Sequence, residues 1–175
     1  SVWISGKTVH GSTTQGRDRP RDRESIMTQK DLQIFVNGTV NYFKQLTDSG
    51  AQMDVPFLKK PGETVALDIT GVIGISGVKK GIIYFTASSD MLRDVVKTIL
   101  GTENPDLASI VDIAGEIANT IAGNAREAFG ADFMISIPLV VEGPPKNIRI
   151  PNEVPVFVIP IRWKDHRSFL VVGIQ

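Results

Sequence analysis

The run NPDLASIVDIAGEIANTIAGNAREAFG, residues 104–130, reads as one long helix, and the rest of the chain is arranged around it. Asn104 is placed to cap it and Pro105 suits the first helical position, where a missing N–H is not felt. Asp106 complements the positive end, and Gly130 can close it in a left-handed turn. At about 100° per residue, Ile110, Ile113, Ala114, Ile117, Ile121, Ala125 and Ala128 gather into a core-facing stripe. Asp112, Glu116, Asn119 and Gly123 lie opposite. Glu116 and Asn119, three residues apart, project side by side about 4.5 Å apart along the axis, and Gly123 adds no side chain that would obstruct an approaching surface.

The flanking segments predict an α+β chain. Before the long helix, 28–48 has helical spacing at Leu32, Phe35, Val36, Val40, Phe43 and Leu46, with Thr28 as cap and Gly50 as stop. Residues 51–62 read as an irregular connection. Val65, Leu67 and Ile69 alternate with polar or small residues in a half-buried strand that runs to Ile75, and GIIYFT at 81–86 should return antiparallel to it. Gly71, Gly74 and Gly77 lack phosphate-loop spacing and precede a strand, so bulges or close backbone approach explain them better. Ser88 or Ser89 caps a short helix whose predicted buried side is Met91, Leu92, Val95, Val96, Ile99 and Leu100, ended by Gly101. Strands are predicted at 132–141, 154–162 and 168–174, with a proline-containing loop at 142–153. The expectation is an antiparallel sheet with about three helices on one face, the other face being free for a partner or a second subunit.

Bulk properties narrow the function. The 175 residues suit one domain at 27–175, and residues 1–26 read as a cloning-derived or flexible leader with the native start at Met27. Lys plus Arg equals Asp plus Glu at 19 each, so no net charge steers the chain to nucleic acid or an anionic membrane. No transmembrane run is evident. The absence of cysteine removes thiolate chemistry and fits a reducing compartment, so a cytoplasmic location is expected. Two histidines, one at position 10 in the leader, give no convincing metal cluster or Ser-His-Asp set, and His166 should be solvated in a hairpin turn. Asn37 and Asn41 have no Glu three residues before them and read as solvated amides. What remains is the Asp112, Glu116, Asn119 patch, expected to stand on an exposed helix without walls to exclude water and to need a partner to complete it.

The run DIAGEIANTIAGNA, with Asp112, then Glu116, then Asn119, then Ile-Ala-Gly-Asn, resembles the CheX-type chemotaxis phosphatases of the CheC, CheX and FliY group. A single Glu-x-x-Asn patch is similar to the CheX type. The proline that follows the helix in that family's pattern corresponds to Pro144, displaced by two residues. The resemblance implies a CheX-like fold and a homodimer joined through sheet edges. It also implies a phosphatase acting on the aspartyl phosphate of a CheY-like response-regulator receiver. Asn119 would orient the attacking water and Glu116 would pair with the receiver's lysine. Asp112, Gly115 and Gly123 would support them, the glycines together with Ala122 keeping the helix slim enough to enter the receiver's cleft; Gly115 and Gly123 could equally serve close helix packing. No cofactor of its own is implied, since Mg²⁺ would sit on the receiver. The alternative is a receiver- or motor-binding module of the same fold without catalysis.

Overall fold

Three amphipathic segments and a set of short β-branched runs can bury their apolar sides together only by stacking helices on a sheet. The computed structural model describes residues 26–144, 150 and 153–175 and has that architecture. Its helices are α1 (Gln29–Leu46), α2 (Ser89–Leu100) and α3 (Leu107–Phe129). Its strands are β1 (Gln52–Met53), β2 (Phe57–Leu58), β3 (Ile69–Gly77), β4 (Gly81–Ala87), β5 (Phe133–Ile135), β6 (Leu139–Glu142), β7 (Phe157–Trp163) and β8 (His166–Ile174). They form one sheet in the order β1-β7-β8-β4-β3-β5, with β2 also on β7, β6 also on β3, and every pairing antiparallel. The leader apart from Ile26, and most of the predicted 142–153 loop, lie outside the described residues.

Strand periodicity sorts the side chains. Ile73 on β3, Ile83 and Phe85 on β4, Ile159 and Ile161 on β7, and Leu170 and Val172 on β8 face the helices, where they meet Phe35, Phe43, Val95, Ile117 and Ile121. The alternate positions Val72, Tyr84, Val171 and Val158 pair in turn across four strands and make a second apolar cluster on the opposite face. That face is not bare as expected. Val65 and Val156 pack against it from the flanking segments, and the Tyr84 hydroxyl donates to the Val65 carbonyl at 3.0 Å.

Other departures have local causes. Residues 51–62 contain two short strands rather than none, because the antiparallel partner β7 supplies a ladder that two residues can join. The predicted strand over 132–141 is split into β5 and β6, both on β3, with the Ser136 hydroxyl accepting from the Gly74 N–H at 2.9 Å at the break. Val65 and Leu67 precede β3 rather than belong to it. Ile99 and Leu100 are exposed, since the last turn of α2 projects past the core. His166 is not a solvated turn residue. It opens β8, stacks on Trp163 with ring centroids 6.2 Å apart, and places Nε2 2.8 Å from Asp94 Oδ2 on α2. That bond holds the Asp94 carboxyl below its ordinary range against the opposing effect of burial.

The start of α1 is tied to the far end of the sheet. Thr28 donates its N–H to Asp31 Oδ2 at 2.9 Å and accepts from the Asp31 N–H at 3.1 Å, a reciprocal cap, while Lys79 Nζ in the β3–β4 turn lies 3.2 Å from the same carboxylate. Burial pushes the Asp31 carboxyl up, but the Thr28 N–H and the Lys79 charge outweigh it and leave it below its usual value. The ionised group is therefore worth most above the ordinary carboxylate pKa, about 4, and its contribution is lost as pH falls through the lower folded value. Asp31→Asn should lower the melting temperature at neutral pH by roughly 2–4 °C, about 1 kcal/mol in a chain of this size. The gap from wild type should close in melts taken between about pH 5 and pH 2; a gap constant over that range would refute the ion pair's role.

Candidate functional site

Helix α3 begins two residues later than its sequence suggests. Asp106, not Asn104, is the cap, accepting from the Ser109 N–H at 2.8 Å, and that bonding draws its carboxyl below the usual range. Gly130 ends the helix with its N–H on the Arg126 carbonyl at 2.9 Å and φ +98°, but with an extended ψ rather than a left-handed turn. The buried side is broader than the predicted stripe. It takes in Gly115, Ala118 and Ala122, because α3 is packed against the sheet, α1 and α2 at once, while Ala128 is exposed near the end.

The height of α3 above the sheet is set by backbone. A Cβ at Gly71 on β3 would collide with the Ala114 carbonyl oxygen and stand 2.7 Å from its carbon and 3.0 Å from the Gly115 nitrogen. Close approach is thus the reason for glycine in this strand. Gly115 is also an inward residue. Its missing Cβ leaves room for Val140 Cγ2 at 2.8 Å and Pro138 Cβ at 3.4 Å, so its role is to seat β6 rather than to slim the outer face. Ala122 is likewise buried. Gly123 is different, with nothing within 4 Å of where a Cβ would stand.

Asp112, Glu116 and Asn119 are all exposed, and helical spacing brings them to one ridge of α3. The ridge is flanked on two sides, contrary to the bare helix expected from sequence. Asn119 lies one turn beyond Gly115 on the side of the β5–β6 connection, residues 136–138, where Ile137 is 88% exposed and Leu139 follows at 57%. On the other side stands Tyr42 of α1, whose hydroxyl is pushed up to about 12 by burial and then by the charge of Glu116. Tyr42 has no sequence signature, because its place beside Glu116 depends on how two distant helices are registered. Pro144 is exposed and follows the end of β6 that pairs with Ile69, away from Asn119, whereas Pro138 packs directly on Gly115.

Among the described residues no group of three or more His, Cys, Asp or Glu could hold a metal ion, and no helix is long and apolar enough to cross a membrane. Arg126 and Glu127 are exposed, as are Asn37 and Asn41, with Asn37 accepting from the Gln33 amide at 2.9 Å. The ridge can present two carboxylates and one carboxamide to a convex or cleft-bearing partner, but it encloses no substrate by itself.

Known structures share this architecture. A CheX chemotaxis protein from Desulfovibrio desulfuricans is 27% identical with a TM-score of 0.72, the match covering 83% of this chain and 99% of that one. The chemotaxis protein CheX from Vibrio vulnificus is 24% identical with the same TM-score and the same coverage of both chains. A CheX from Borrelia burgdorferi, solved in complex with CheY, BeF3 and Mg²⁺, has a TM-score of 0.67 at 18% identity over 82% of this chain and 97% of that one. No curated protein sequence matches. The three-helix, eight-strand fold is that of CheX-like chemotaxis proteins. The family model for the chemotaxis phosphatase CheX matches residues 69–162, more than half of the chain, and the protein belongs to that family.

Proposed function

We propose that this protein hydrolyses the aspartyl phosphate of a CheY-like receiver domain, with α3 as the element that enters the receiver's active site. The observation that carries the reading is the exposed pair Glu116 and Asn119 on a ridge whose next turn, at Gly123, is open. Family membership and the Borrelia CheX structure with CheY support the class of partner.

Water oxygen attacks phosphorus, the bond from phosphorus to the receiver's aspartyl oxygen breaks, and phosphate and a free carboxylate result. The receiver contributes the phosphorylated aspartate and a Mg²⁺ ion that neutralises phosphoryl oxygens. A carboxamide both accepts and donates hydrogen bonds, so Asn119 holds the water in line with the breaking bond. Glu116 meets the receiver's active-site lysine and sets the docking angle. Asp112, one turn before Glu116, supports that contact. No covalent intermediate forms on this chain, and the gain comes from positioning, which is most of what phosphoryl transfer asks of a protein. A homodimer belongs to the same reading, and both margins of the sheet carry exposed apolar side chains, Leu58 at one and Met134 and Leu139 at the other.

The test is to mix the protein with phosphorylated receivers from its own source, with Mg²⁺ present, and follow phosphate release. At least one receiver should lose phosphate faster; unchanged half-lives for all of them would leave a binding module. Glu116→Lys should weaken receiver affinity by about tenfold or more, because it sets like charges against each other. Unchanged affinity in a calorimetric titration would count against the lysine contact.

A further inference from the structure

Helices α1 and α3 pack antiparallel across a narrow seam. At Gly38 a Cβ would stand 3.3 Å from Asn124 Cβ and 3.5 Å from the Ile121 carbonyl oxygen, and the Asn124 amide donates to the Gly38 carbonyl at 3.3 Å. One turn further along α1 is Tyr42, and one turn back along α3 from Ile121 is Ile117, with Glu116 beside it. The Tyr42 ring is held there. It is half-buried, packs on the core, and meets the buried Phe43 edge-on with centroids 5.1 Å apart and planes at 87°. Glu116, by contrast, is exposed, and no hydrogen bond among the described residues fixes its carboxylate. Nor does the Tyr42 hydroxyl have a hydrogen-bond partner there.

A packed phenol therefore stands within electrostatic reach of an exposed carboxylate that no hydrogen bond among the described residues holds. Burial and the Glu116 charge keep the phenol protonated far above neutral pH, so it can only be a donor toward that carboxylate under ordinary conditions.

We propose that Tyr42 is a positioning residue of this site, its hydroxyl donating to the Glu116 carboxylate and holding it toward the cation of a docked receiver. This rests on the receiver-directed reading for its consequence, but not for the contact itself. Of the two oxygens of Glu116, one is then taken by the phenol and the other is left for the partner. Docking then no longer has to order a free side chain.

The chain has two tyrosines, so labelling tyrosine at the Cζ carbon gives two NMR signals, which Tyr42→Phe assigns. Glu116→Gln in the full chain should move the Tyr42 signal and leave that of Tyr84 in place. In the phosphatase assay Tyr42→Phe should raise KM for the phosphorylated receiver roughly fivefold to tenfold, with kcat changed less than twofold. In the Glu116→Gln background the same substitution should add less than twofold. An unmoved Tyr42 signal, an equal loss in both backgrounds, or a fall in kcat without a rise in KM would each overturn the proposal. If the wild-type chain accelerates no receiver, the proposed function fails, and the NMR signal still decides whether Tyr42 and Glu116 are coupled.

Discussion

Asn119→Ala is expected to cut the acceleration of receiver dephosphorylation by on the order of 10²-fold while receiver affinity and fold stay the same. The side chain is exposed and makes no hydrogen bond among the described residues, so truncation leaves no cavity and strands no buried partner. A surface change of that kind usually alters stability by within about 0.5 kcal/mol. Docking should survive because Glu116 and the flanking surface are untouched. What goes, under the proposed mechanism, is the group that would both accept from and donate to the attacking water, and no neighbour on the ridge replaces it, since ionised Asp112 and Glu116 only accept. Asn119→Gln supplies a sharper comparison. It keeps the amide but carries it about one bond further out, and a displacement near 1 Å at the reacting centre is itself worth about 10²-fold. The measurement is single-turnover phosphate release with the variant in excess over a phosphorylated receiver. Full activity in Asn119→Ala would remove the water-positioning role.

Gly71→Ala should be strongly destabilising, because the added methyl meets the backbone of α3. Most glycine positions that face open space would take a Cβ with no clash, but here the atoms in the way are the Ala114 carbonyl group and the Gly115 nitrogen, and backbone in mid-helix cannot swing aside. Relief requires α3 to lift from β3 as a body. Overpacking of this kind costs typically 1–3 kcal/mol, and because the obstacle is backbone we expect about 3 kcal/mol, a fall of roughly 6–12 °C in melting temperature. Lifting α3 would also move Glu116 and Asn119 relative to Tyr42 and the 136–138 connection, so surviving folded protein should lose phosphatase activity at a temperature where wild type is fully active. Denaturant unfolding measures the first effect; a loss below about 1 kcal/mol would show that the close approach is not needed.

The ridge was legible because its signals are local. Asp112, Glu116 and Asn119 fall at helical spacing on one side of a capped amphipathic run, and periodicity alone says which way they point. The six strands of more than two residues were largely legible for the same reason, apart from the break near 136–138. What sequence did not reveal depends on pairing between distant segments. Residues 52–53 and 57–58 are strands only because β7 lies alongside. Val72, Tyr84, Val158 and Val171 form a second cluster only because four strands are in register, so reading β3 as half-buried missed its covered rear. Gly115 could be read either as keeping the helix slim or as serving close packing, and the residue across from it, Val140, decides between the two. Tyr42 and the His166–Asp94 bond were missed on the same ground, each being a contact between elements rather than a pattern within one.

The backbone seat of α3 on Gly71 divides the surroundings of the helix into positions with no room for a side chain and positions open to solvent. Where α3 meets the sheet, Gly71 on β3 and Gly115 on the helix have no room for an added methyl group. Outward positions such as Ala108, Arg126 and Glu127 are exposed and sit on a support that does not move when they are exchanged. Under the proposed receiver-directed function, a change of partner would require substitutions only at the exposed periphery of the ridge, with no compensating change in the sheet that carries it.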